Sequence, residues 1–139
     1  MKLRQRGLTL IELLVVMVVI AVLAAIAYPS YQGQQRKGNR AAAQASLVNI
    51  ANRQAQYLLD ARNYAIGAGA LGALNVSLPN EVAQYYTVVV ENGAGGATPA
   101  TPPSFLIRAT PIAGTRQDGD GELRLAQDGT KSHGSKPGW

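Results

Sequence analysis

The sequence predicts an α+β fold in which a long N-terminal helix, membrane-spanning in its first half, packs on a small antiparallel sheet. Three observations support this prediction. Residues 8–27 are apolar apart from one charge, residues 36–60 favour helix, and three strand-like segments after residue 84 are separated by turn-rich stretches. With 139 residues, the chain has room for one small folded head in addition to the apolar run.

The composition argues against an enzyme. The chain has no cysteine, one histidine (His133) and 8 acidic residues, which leaves little material for a metal site or a hydrolytic triad. We therefore expect no catalytic residue, no metal and no cofactor. The net charge is +5, but Lys2, Arg4 and Arg6 supply three of the positive charges before the apolar run. The net charge alone is thus a weak indication of nucleic-acid binding.

The apolar run LTLIELLVVMVVIAVLAAIA at residues 8–27 is long enough, at about 1.5 Å per residue, to cross a ~30 Å hydrocarbon core. A buried core helix is an alternative, although a domain of this size could not surround it. A cleaved secretory signal is another, although Tyr28-Pro29-Ser30-Tyr31 leads directly into a second helical pattern. The basic residues before the run favour a cytoplasmic N-terminus.

Two residues are unusual, one inside this apolar run and one shortly after it. A carboxylate at Glu12 costs about 2.5–3.5 kcal/mol to insert into a membrane, so it requires a partner unless it reaches the interface or is protonated. Pro29 has no N–H to donate, so it either kinks a helix that continues or ends the helix.

Residues 4–31, RQRGLTLIELLVVMVVIAVLAAIAYPSY, resemble the start of a type IV prepilin. The resemblance implies that a prepilin peptidase cuts after Gly7 and N-methylates Leu8, where the family more often has phenylalanine. It also implies that Glu12 and Pro29 act in filament assembly. The Glu12 carboxylate would neutralise the charged N-terminus of a neighbouring subunit, which offsets its burial only in the fibre.

This resemblance divides the chain into a leader (1–7), a transmembrane and assembly half of the helix (8–35) and a head (36–139). Within the head we expect an amphipathic helix at 36–60, a loop region at 61–84, and the sheet with a C-terminal tail at 85–139. One apolar stripe of the amphipathic helix is expected to hold the head: Ala41, Ala45, Val48, Ala51, Ala55, Leu58 and Leu59. Ile50 and Tyr57 would then be exposed, either for subunit packing or without a role.

The strand-like segments are YYTVVVE (85–91), SFLIRAT (104–110) and GELRLAQ (121–127). Their alternation places one set of side chains toward the helix: Tyr86, Val88, Val90, Phe105, Ile107, Leu123 and Leu125. The opposite face carries charged residues, expected to form exposed cross-strand contacts rather than a site: Glu91, Arg108, Glu122 and Arg124. His133 falls in a polar tail and is expected to be solvated.

Two further groups are candidate sites. Four acidic residues offer oxygen ligands of the kind that calcium prefers, but their spacing differs from an EF-hand and favours an Asp-Gly hairpin turn: Asp118, Asp120, Glu122 and Asp128. Five basic residues are candidate DNA contacts: Arg108, Arg116, Arg124, Lys131 and Lys136.

The head is also similar to short Gram-negative type IV pilins, a subgroup that includes minor pilins. Many members close their C-terminal region with a disulfide, which this chain cannot form. The resemblance implies a structural subunit that is anchored in the inner membrane with its head in the periplasm, and then joins an extracellular filament for adhesion, twitching motility or DNA uptake. The implied partners are other pilin copies, the prepilin peptidase and N-methyltransferase, the assembly machinery, the bilayer and DNA. Two alternatives are a minor pilin acting as a DNA receptor in natural transformation and a pseudopilin of type II secretion.

Overall fold

A computed structural model describes residues 9–139 and has the expected α+β architecture. Gly7 and Leu8 lie outside the described residues. The helices are α1 (Leu10–Ala61), α2 (Ala70–Ala73) and α3 (Asn80–Ala83), and the strands are β1 (Tyr86–Glu91), β2 (Leu106–Pro111), β3 (Leu123–Ala126), β4 (Lys131–His133) and β5 (Lys136–Pro137). The chain has two compact units, one ending at Gln35 and the other formed by Arg36–Trp139.

Helix α1 begins at a capped turn and continues through Pro29. The Thr9 hydroxyl accepts the Glu12 backbone N–H at 3.3 Å, which satisfies one of the free amides of the first turn. At the other end, Arg62 adopts a left-handed conformation with φ 53°, and its N–H bonds to the Leu58 carbonyl at 2.9 Å. The alternative that Pro29 ends the helix is therefore wrong, because good helix formers continue the helix on both sides.

The first part of α1 exposes its apolar side chains on all sides. Leu10 is 83% exposed and Ile26 70%, and each residue from Leu10 to Tyr31 is exposed. By length and composition this segment can cross a membrane, and none of its most apolar stretch is buried within the chain. A buried core helix therefore does not describe this segment.

The sheet is an antiparallel meander in the order β1-β2-β3-β4-β5. The predicted inward-facing residues are confirmed. Val88 is half-buried, and the other six are at most 5% exposed: Tyr86, Val90, Phe105, Ile107, Leu123 and Leu125. Strands β4 and β5 were not predicted. They are short and polar, and pair through backbone hydrogen bonds, so they lack the alternating pattern on which the prediction relied.

The predicted head-facing stripe of α1 is wrong. The buried residues lie on the other face of the helix: Ala43, Ser46, Leu47, Ile50 and Gln54. In the predicted stripe, Val48 is 38% and Leu59 82% exposed. The stripe consisted largely of alanines, which bury little apolar area, whereas Leu47 and Ile50 each bury a large side chain. Ile50 and Tyr57 were both expected to be exposed, but Ile50 is fully buried and Tyr57 is half-buried against the core.

Residues 62–85 cover the core between α1 and the sheet. They contain two single-turn helices, α2 and α3, where the sequence predicted only a loop. Leu74 and Val82 are at most 4% exposed and belong to the same apolar cluster as Leu47, Ile50 and Ile107. The head core is therefore built from the helix, this segment and the inner face of the sheet.

Candidate functional site

The predicted assembly residues lie on the exposed part of α1. Glu12 is in the first helical turn, where its carboxylate is favoured by the free N–H groups of the helix N-terminus. The Thr9-x-x-Glu12 spacing is a capping-box pattern, a sequence signal for this helix start that the prediction overlooked. Glu12 and Pro29 are both exposed, so the described chain leaves the two side chains accessible to other molecules.

The acidic residues near the C-terminus are engaged separately. The Asp118 carboxylate accepts the Gly114 N–H at 2.9 Å, and the Asp128 carboxylate accepts the Thr130 N–H at 2.8 Å. This bond to Thr130 lowers the pKa of Asp128. The predicted Asp-Gly turn is confirmed at Asp128-Gly129, where β3 connects to β4. Within residues 9–139, no three His, Asp or Glu side chains converge as a metal site would require.

Asp120 is the centre of a buried polar cluster that the sequence did not predict. Its carboxylate forms a two-point ion pair with Arg40 of α1. It also accepts hydrogen bonds from the Tyr86 hydroxyl and the Gln117 side-chain N–H, both at 3.1 Å. His133, which was expected to be solvated, donates a hydrogen bond from its ring Nε2–H to the Asp120 carbonyl, and its side chain is 21% exposed. The cluster thus connects α1, β1, the β2–β3 loop and β4.

Burial and charge determine the protonation of this cluster. Burial alone would raise the pKa of Asp120, but its hydrogen bond with Arg40 and the Arg40 charge outweigh burial and lower that pKa. The same hydrogen bond raises the pKa of Arg40. Burial raises the pKa of Tyr86 to about 12. The cluster is therefore a charged pair with a neutral phenol at neutral pH, which suits a structural contact rather than proton transfer.

The five candidate DNA contacts do not form one patch. Arg108 and Arg124 lie opposite each other on the outer face of the sheet, where Glu122 contacts both guanidinium groups and Glu91 pairs with Arg108. This confirms the expected cross-strand contacts, but of these residues only Arg124 is exposed, while Glu91, Arg108 and Glu122 are half-buried. Arg116 lies in the β2–β3 loop, 5.9 Å from the centre of the Tyr85 ring.

The two lysines belong to the C-terminal hairpins. Lys131 faces Trp139, with 4.2 Å between its Nζ and the ring centre. Lys136, on β5, pairs with His133 across the strands and is exposed. Among the described residues, neither lysine makes an ion pair, in contrast to Arg108 and Arg124. The two lysines are thus cations outside the network that Glu91 and Glu122 form with Arg108 and Arg124.

Comparison with known proteins identifies the chain's relatives. Residues 2–28 match the family model described as the prokaryotic N-terminal methylation motif. Residues 29–123 match the model described as the type IV minor pilin ComP, DNA uptake sequence receptor. A search of curated proteins finds no match. Because the second match spans more than half of the chain, the chain belongs to the family of type IV minor pilins described as ComP, DNA uptake sequence receptor.

Proposed function

We propose that this minor pilin binds DNA through its head while α1 anchors it, first in a membrane and then in the pilus. The observation that carries the proposal is the match of residues 29–123, which include most of the head, to a family described as a DNA uptake sequence receptor. The exposed apolar surface of α1 supports the anchoring role. The chain acts by association in this proposal, not by catalysis.

Leader processing comes first in this proposal. The peptidase cuts between Gly7 and Leu8 and methylates the new N-terminus at Leu8, leaving the apolar helix in place. The match of residues 2–28 to the N-terminal methylation motif supports this step. After cleavage, the chain is held in the inner membrane by α1 with its head in the periplasm, from where the assembly machinery transfers it to an extracellular filament.

Filament assembly then uses Glu12 and Pro29. The Glu12 carboxylate lies at an exposed helix start and has no basic partner in the described chain. In a fibre, the positively charged N-terminus of a neighbouring subunit fits this position, since it neutralises the carboxylate in an apolar environment. Glu12 thereby sets the register between subunits, and Pro29 locally loosens α1 where the helix packs against its neighbours.

We assign the DNA contacts by asking which candidate basic residues are already held by acidic side chains. Arg108 and Arg124 are engaged by glutamates, so they contribute little to phosphate binding. Lys131 and Lys136 remain, and Lys131 lies against the ring of Trp139, as Arg116 lies against the ring of Tyr85. Cations interleaved with aromatic rings are typical of nucleic-acid-binding surfaces.

Duplex binding in solution tests this proposal. The full chain in non-ionic detergent is titrated into a fluorescent duplex at several salt concentrations. We expect the affinity to fall linearly with salt on logarithmic axes, and Lys131→Gln/Lys136→Gln to reduce that slope by about 2. The matched control is Arg53→Gln/Arg62→Gln, which removes one cation within α1 and one directly after it. This control should leave the slope unchanged. If the wild-type chain has no affinity for DNA, DNA reception is wrong, and an ordinary fibre subunit or secretion pseudopilin becomes the better explanation.

A further inference from the structure

The C-terminal hairpins hold an aromatic side chain that the family match does not reach, since that match ends at residue 123. Trp139 is the single tryptophan of the chain. The Gly138 N–H bonds to the Lys131 carbonyl at 2.8 Å, and the Trp139 indole N–H bonds to the Arg124 carbonyl at 3.3 Å. These two bonds fix the indole beside β3 and β4, where part of its surface packs on the head core.

Two lysines accompany this indole on one side of the sheet. Strand register pairs Lys131 with Leu125, and His133 with both Leu123 and Lys136, so both lysines extend from the face that carries the core leucines. Lys131 Nζ covers the ring at 4.2 Å. The acidic residue of the same hairpin, Asp128, accepts the Thr130 N–H and is exposed at the turn.

We propose that Trp139, Lys131 and Lys136 form a subsite for an unpaired nucleotide of a DNA strand. This inference rests on the proposed DNA binding and locates one contact within it. The base stacks on the indole, while Lys131 leaves the ring and binds an adjoining phosphate together with Lys136. The exchange is favourable because a stacked base contributes more affinity than an exposed cation–π contact contributes stability.

Stacking also determines which form of DNA the subsite accepts. In a continuous duplex, each base is covered on both faces by its neighbours, so no face is free for the indole. A single strand or a locally opened duplex presents free base faces. The subsite therefore distinguishes unpaired from paired DNA. Contacts to phosphates alone involve no base, so stacking gives them no such preference.

The single tryptophan gives a direct readout. The full chain in detergent is titrated with a single-stranded oligonucleotide and, separately, with closed circular duplex DNA, which has no ends. We expect the single strand to quench Trp139 emission strongly and the circular duplex to quench it weakly. We also expect Trp139→Ala to weaken single-strand binding about tenfold while changing circular-duplex affinity less than about twofold. Trp139→Phe, which keeps an aromatic ring against the core, should lose about threefold or less.

The outcomes separate the subsite from DNA binding in general. Unchanged Trp139 emission on single-strand binding, or equal single-strand affinity for Trp139→Ala and wild type, overturns the subsite and leaves the proposed function in place. Loss of affinity for both DNA forms in Trp139→Phe as well as Trp139→Ala also overturns it, since this pattern indicates a structural role. If the wild-type chain binds neither form, the proposed function fails along with the subsite.

Discussion

Arg40 on α1 and Asp120 in the β2–β3 loop form a two-point ion pair across 80 residues of sequence. The Asp120 side chain is 5% exposed, and the pair is joined by the Tyr86 hydroxyl and the Gln117 amide. The chain has no cysteine, so no disulfide can connect this loop to the helix. The Asp120 cluster supplies a non-covalent connection between the β2–β3 loop and the helix.

Removing the Asp120 charge should destabilise the head. We expect Asp120→Asn to lower the free energy of unfolding by about 1.5–3 kcal/mol, because Arg40 loses its charged partner. The control is Asp118→Asn, whose exposed side chain keeps an oxygen to accept the Gly114 N–H, with an expected effect below about 0.5 kcal/mol. Urea unfolding followed by Trp139 fluorescence measures both. Equal stabilities of the two variants would contradict a stabilising role for the cluster.

Asp120 should also make the free energy of unfolding fall at acid pH. The pKa of Asp120 is lower in the folded chain than its ordinary value of 3.8, so the unfolded state binds the proton more readily. Its contribution is thus present above about pH 4 and is lost as the pH falls toward the folded pKa. Between about pH 6 and 3, the wild type should lose more unfolding free energy than Asp120→Asn. Parallel pH profiles for the two proteins would exclude this linkage.

Gln54 should be intolerant of apolar replacement. Its side-chain amide donates to the Ala65 carbonyl at 2.6 Å and accepts the Ala65 N–H at 2.9 Å, in a fully buried position. Gln54→Leu leaves both backbone groups unpaired, so we expect a loss of about 2 kcal/mol or more in urea unfolding, despite the added apolar surface. Gln56→Leu, at an exposed position two residues further along α1, is the matched control. A stable Gln54→Leu variant would show that the Ala65 groups find other partners.

The orientation of α1 in the head can be tested with two aliphatic residues. Ile50 is fully buried and Leu59 is 82% exposed. We expect Ile50→Ala to cost about 2–5 kcal/mol and Leu59→Ala less than about 0.5 kcal/mol in the same unfolding assay. The reverse order would restore the alanine-rich stripe as the head-facing side.

These residues also show where sequence reasoning succeeds. The strand faces were predictable because a strand has only two faces, and in β3 the leucines Leu123 and Leu125 alternate with charged residues. The helix face was not, because Ala41, Ala45 and similar residues match the apolar period without burying much area. A helix of small residues gives a weak periodic signal, and a few large side chains decide which face is buried.

The polar cluster could not be predicted for a different reason. Arg40, Tyr86 and Asp120 are far apart in sequence, and no local spacing indicates that the fold brings them together. The prepilin-like segment, by contrast, is one continuous stretch of residues that includes Glu12 and Pro29. Its resemblance to a prepilin is therefore recognisable from the order of the residues alone.

Leader cleavage and fibre assembly should depend on different residues. We expect replacement of Gly7 by a bulkier residue to leave an uncleaved precursor in the membrane. Glu12→Ala should be cleaved normally but reach fibres poorly, because the neighbouring N-terminus lacks its counter-charge. Intact-mass analysis of membrane and sheared-fibre fractions measures both steps, and Thr9→Ser, which keeps the hydroxyl at the helix cap, is the control. A normal amount of the Glu12→Ala chain in fibres would contradict the register role.

We propose that this pilin carries DNA-binding groups on its head when it is part of a fibre. DNA retention can be measured on sheared fibres containing either the wild-type chain or Lys131→Gln/Lys136→Gln, at matched chain content by immunoblot. We expect both chains to enter fibres equally and the variant fibres to retain several-fold less DNA, with the difference shrinking as salt screens the phosphate contacts. Equal DNA retention at low salt by the two kinds of fibre would contradict the claim.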